Sequence, residues 1–97
     1  MDNSKYRNFA EKNKEDIISL LSMLVEVPSI EGKAEENFPF GKEPAKALGI
    51  MLDKAEKMGF TVNNRDNYYA TADYLPDGKS KPSLAVLCHL DVVPAGK

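Results

Sequence analysis

From Lys5 to Val27 apolar residues return at helical spacing: Ile17, Leu21 and Leu24 form one row, and Ile18 and Val25 widen it into a stripe. The spacing predicts one helix over this span, with charged residues crowding its first half. Pro28 ends it, because a proline pushes the residue before it, Val27, away from helical angles. A second helix is predicted from Glu43 to Met58, with Ala45, Leu48, Leu52 and Ala55 on its apolar face. Pro44 suits the first turn of a helix, where its missing N–H is not needed. Gly59 stands where a C-terminal cap takes a left-handed residue. Met51 and Met58 read as core filling on the same face. Between the two helices "SIEGKAEENFPFG" is polar and reads as a loop. Phe38 and Phe40 flank Pro39 there and are expected to anchor the loop on the core, a substrate-side contact being the alternative.

Beyond Gly59 the period changes to two. "FTVNN" predicts a short strand and "RDN" a turn. "YYATADYL" alternates, with Tyr68, Ala70, Ala72 and Tyr74 on one face and Tyr69, Thr71 and Asp73 on the other. "PDGKSK" has the chemistry of a turn. "SLAVLC" is a continuous apolar run of strand length, as expected of a strand buried on both faces of a helix-covered sheet. The order helix, helix, strand, strand, strand gives the expected fold class: α/β, with two N-terminal helices packed on a short mixed β-sheet.

Composition narrows the functional classes. Ninety-seven residues hold one small domain. A hydrophobic fraction of 42% beside 29% charged residues is that of a globular chain, which argues against disorder over most of the length. The net charge of −2 is spread without a basic cluster, so a nucleic-acid partner has no footing. A lone cysteine can make neither an internal disulfide nor a thiolate zinc cage. The opening "MDNSKYRNFAEKNKED" lacks the apolar stretch of a signal peptide. No apolar run reaches the roughly 18–20 residues of a membrane span. The expectation is a cytoplasmic protein with no membrane partner.

The candidate chemistry is gathered in "LCHLDVVPAGK", Leu87 to Lys97, which holds the sole histidine and the sole cysteine. If the chain stays extended here, Cys88 and His89 point to opposite faces, and His89 and Asp91 to the same one. That alternation disfavours a Cys88–His89 nucleophilic pair, which needs thiol and imidazole within hydrogen-bond reach. Cys88 reads better as a small apolar residue of a buried strand. His89 with Asp91 suits a metal site, where a carboxylate behind the imidazole sets its tautomer and raises its basicity. A surface histidine beside a surface acid is the plainer reading of the same spacing.

The longer stretch "HLDVVPAG", following an apolar strand pattern, resembles the first metal-site motif of the aminoacylase and carnosinase family of dinuclear zinc metallopeptidases. That family includes succinyl-diaminopimelate desuccinylase and the bacterial dipeptidase V type. "IISLLSMLVEVPSIEG" is similar to the family's opening helix and its boundary, "FPFGKEPAKALGIMLDKAEKMGF" to the following segment of the dipeptidase V branch, and "NYYATADY" to the next strand. The resemblance implies that His89 binds one of two zinc ions, and that Asp91, as part of the catalytic machinery, orients and tunes that histidine. It implies hydrolysis of the amide bond of a dipeptide substrate, with zinc lowering the pKa of water toward about 7 and stabilising the oxyanion that forms. The family's other ligands, its general-base glutamate and its lid domain lie downstream of this motif. The chain is therefore expected to be the N-terminal portion of a longer catalytic domain, to bind zinc weakly and to be inactive alone. The competing reading is a non-catalytic interaction module that keeps an unused His-x-Asp motif and self-associates through an open sheet edge.

Overall fold

The computed structural model describes residues 2–76 and 84–96. Three helices and two strands follow in chain order: α1 (Ser4–Lys12), α2 (Lys14–Glu26), α3 (Lys42–Lys57), β1 (Thr61–Arg65) and β2 (Tyr69–Asp73). The arrangement is a small α/β fold. α3 packs on both strands, α2 packs on α3, and α1 packs on α2.

The helix expected from Lys5 to Val27 is two helices, broken at Asn13. Asn13 lies at φ −103°, ψ 9°. Its side-chain Nδ2 donates to the carbonyl of Phe9 at 2.8 Å, a carbonyl that also accepts the Asn13 backbone N–H at 3.1 Å. Asparagine competes in this way with helical backbone bonding, which is why it favours ends over interiors. α2 ends as expected before Pro28, with Val27 extended at φ −83°, ψ 121°. Its predicted stripe is only thinly covered. Leu24 is half-buried, whereas Ile17, Ile18, Leu21 and Val25 are exposed.

α3 closes as its sequence predicts. Gly59 takes φ 96°. Its N–H donates to Glu56 O, and the N–H of Phe60 reaches back to Ala55 O, both at 3.0 Å. This pair of bonds is a Schellman cap. Lys54 Nζ bridges to the Asp16 carboxylate at 2.9 and 3.0 Å, linking α3 to α2.

β1 and β2 pair antiparallel, with Thr61 opposite Asp73 and Arg65 opposite Tyr69. At the turn both Asp66 (φ 56°) and Asn67 (φ 62°) are left-handed, and Tyr68 N–H closes on Arg65 O at 3.0 Å. Two successive positive-φ residues match the twist of the flanking strands. Asn67 Nδ2 donates to Asn37 O at 2.8 Å, and Phe40 packs edge-on against Tyr68 with ring centroids 5.7 Å apart. The 31–41 loop is thus held on the hairpin tip, and Phe40 serves as an anchor.

The third expected strand differs. Leu84 to Cys88 join no ladder with any described residue, and Leu84, Val86 and Leu87 are exposed, Leu87 at 91%. Among the described residues the sheet is two-stranded and antiparallel, and the parallel pairing present is an isolated bridge between Ile30 and Val92, outside that sheet. An apolar run records a preference for burial, but burial on both faces needs a neighbour on each side. None of the described elements takes that place. The turn expected at "PDGKSK" lies mostly outside the described residues. Among those described, Val27 and Ala47 are the buried hydrophobic residues and Ser29 the buried polar one.

Candidate metal centre at His89 and Asp91

His89 and Asp91 lie in the extended stretch after Leu84, where two-residue spacing returns side chains to one side. Their groups meet there. His89 Nδ1 stands 3.2 Å from Asp91 Oδ1 and 3.1 Å from the Asp91 carbonyl oxygen. Both oxygens can only accept, so Nδ1 carries the ring proton and donates it. In the neutral ring Nε2 then keeps the lone pair. This is the tautomer that a metal-binding imidazole needs, with the carboxylate behind the ring rather than in front of it. Both side chains are exposed, His89 at 83% and Asp91 at 60%, so none of the described residues covers the ring.

The segment is fastened to the helical layer just beside Asp91. Ser29, two residues past the end of the α2 cap, is buried to 2% exposure. Its hydroxyl donates to the Leu90 carbonyl at 3.1 Å, and its own carbonyl accepts from the Val92 N–H at 3.0 Å. By sequence Ser29 is only the first residue of a polar loop and part of a helix boundary. The signal available there was a small hydroxyl residue straight after the proline that stops an apolar helix.

Cys88 is exposed rather than buried in a strand, and its sulfur is unpaired. Its exposure follows from the missing ladder at Leu84 to Cys88. A cleft of about 320 Å³ opens between the 34–39 loop and the hairpin tip, lined by Glu35, Asn37, Pro39, Asp66 and Tyr68 among others; neither His89 nor Asp91 lines it. Among the described residues no three His, Cys, Asp or Glu side chains converge as a metal cage would require. The donor set fits one ligand position with its supporting carboxylate, short of the three protein ligands a catalytic zinc takes.

Known proteins share this sequence pattern. Over 93 residues, 94% of its length, the chain is 36% identical to proteins named "Putative dipeptidase" from Staphylococcus aureus strains USA300, COL and Mu50. It spans 19% of the length of each of these relatives. No protein-family model matches the sequence. No helix among the described residues is long and apolar enough to cross a membrane.

Proposed function

We propose that this chain contributes the first metal-ligand motif of a zinc-dependent dipeptidase of the dipeptidase V type. His89 is the ligand through Nε2, and Asp91 is the carboxylate that holds its tautomer. One observation carries the reading: Nδ1 of His89 faces the Asp91 carboxylate at 3.2 Å, so in the neutral ring Nε2 is the open nitrogen, in a chain 36% identical over 93 residues to dipeptidase-named proteins. Zinc, when bound, supplies a Lewis acid for water activation and for the charge that develops on an amide oxygen. The residues of this chain hold and orient one ligand of two zinc ions. One histidine and its carboxylate fall short of a catalytic zinc site, so the chain alone binds zinc weakly and does not hydrolyse a dipeptide. A cytoplasmic setting agrees with an exposed free thiol at Cys88.

The test is a chimera of the USA300 relative in which the matched segment is replaced by this chain. It is expected to bind zinc and hydrolyse a dipeptide. His89→Ala should abolish metal at one position, and Asp91→Ala should weaken zinc affinity by about 10–100-fold, the usual effect of removing a ligand's supporting group. Full zinc content and activity in the His89→Ala chimera would sink the proposal. For the isolated chain, calorimetric titration with zinc should show affinity weaker than micromolar; sub-micromolar binding would contradict the incomplete site.

The second reading, an interaction module with an unused motif, draws on the exposed apolar side chains of Leu84, Val86 and Leu87. Such an exposed apolar run favours pairing with another chain, including a second copy. Sedimentation of the isolated chain discriminates. A defined, cooperative dimer that never binds zinc even in the chimera would favour the module.

A further inference from the structure

We propose that Ser29 is the positioning residue of the His89–Asp91 pair: it sets the backbone on both sides of Asp91 and so decides which nitrogen of His89 is free. Its importance for a metal rests on the dipeptidase reading, but the geometry stands without it. Among the described residues, the two hydrogen bonds found between the 84–96 stretch and the rest of the fold both end on Ser29. One takes the carbonyl of Leu90, the other the N–H of Val92, so they straddle Asp91. They constrain the two peptide groups that flank its Cα. The Asp91 carboxylate and carbonyl are then presented together to Nδ1 of a histidine that nothing else fixes, its side chain being 83% exposed.

Ser29 is itself well placed to transmit rigidity. It follows the capped end of α2, where Val27 N–H donates to Leu24 O at 3.1 Å. Two tight backbone bonds then hold the chain, from Ser29 N–H to Val27 O at 2.8 Å and from Ile30 N–H to Pro28 O at 2.7 Å. Val27, two residues earlier, is one of the two buried hydrophobic residues among those described. The helix end is therefore a fixed post, and a hydroxyl at Ser29 is the short arm reaching from it to the Leu90 carbonyl. An arm of any other chemistry fails in a definite way. Alanine has no donor, and a longer polar side chain does not fit a position exposed by only 2%.

A serine that merely pins the segment down and a serine that orients the pair differ in one observable, the tautomer of His89. The imidazole ¹⁵N shifts of the 97-residue chain at a pH above the histidine titration report the ratio of Nδ1–H to Nε2–H. The wild type should show Nδ1–H dominant. Ser29→Ala should lower that ratio by about fivefold, the factor carried by one net hydrogen bond of ordinary strength, with the far-UV circular dichroism unchanged. Ser29→Thr keeps the hydroxyl and should retain the wild-type ratio. If Ser29→Ala loses its helical signal, Ser29→Cys, close in size but a poor donor, takes its place under the same two outcomes. A folded Ala or Cys variant with the wild-type tautomer ratio overturns the inference and leaves Ser29 a structural tether. No zinc enters this experiment, so its failure leaves the dipeptidase reading intact. Equally, a chimera that never binds zinc leaves the role of Ser29 standing.

Discussion

Gly41 sits at φ 97°, ψ 170°, immediately before α3, in a region that is essentially restricted to glycine. A non-glycine residue held there costs on the order of 1–3 kcal/mol. Packing adds a second cost. A Cβ on Gly41 would stand 3.1 Å from the Gly32 Cα and 3.2 Å from the Gly32 nitrogen, and both are backbone atoms. Gly32 cannot yield freely, because its N–H donates to the Phe40 carbonyl at 2.8 Å and so closes the 32–40 loop. Overpacking of this kind adds about 1 kcal/mol or more. Gly41→Ala should therefore destabilise the chain by about 2–4 kcal/mol. Gly59 supplies the control. It has nearly the same φ, 96°, but a Cβ there would meet nothing within 4 Å. Gly59→Ala should cost only the left-handed backbone, about 1–2 kcal/mol. Urea titrations followed by far-UV circular dichroism measure both variants. A Gly41→Ala chain no less stable than Gly59→Ala would refute the close approach of Gly41 to Gly32 as an energetic feature.

Gly49 lies inside α3 with open space where a Cβ would be, so Gly49→Ala should raise stability by roughly 0.5–1 kcal/mol in the same titration. The Asp2 carboxylate accepts from the Ser4 N–H at 2.9 Å ahead of α1, and this bond holds its pKa below the usual 3.8. A depressed pKa means stability that is present above the unfolded value and lost as pH falls through the folded one. The Ser4 amide signal should accordingly show α1 fraying on acidification below 3.8, and Asp2→Asn should blunt that pH dependence. Cys88 is exposed, so a thiol reagent should modify it in the folded chain as fast as in urea; marked protection without denaturant would contradict its placement. Modified chain should keep the His89–Asp91 contact, since adjacent extended residues face opposite ways.

α3, its glycine cap and the hairpin were legible because each depends on local chemistry. A 3.6-residue apolar period, a glycine able to adopt φ 96° and a turn of Asp66 and Asn67 act over a few residues, whatever surrounds them. The same holds for His89 and Asp91, which alternation alone brings to one side of an extended chain. The break at Asn13 was also local, but it turned on the backbone angles and side chain of one asparagine, which the apolar period does not register. Two features were beyond local reading. The exposure of Leu84, Val86 and Leu87 is decided by whether neighbours lie alongside, and hydrophobicity states only what such neighbours would gain. Ser29 meets Leu90 and Val92 across some sixty residues of chain. The sequence determined α3, its glycine cap and the hairpin, and which side chains of an extended stretch can face one another. Only the tertiary structure decided that a buried hydroxyl at the end of α2 would hold the backbone around Asp91, because a hydrogen bond between distant residues exists only once packing has brought donor and acceptor within 3.1 Å.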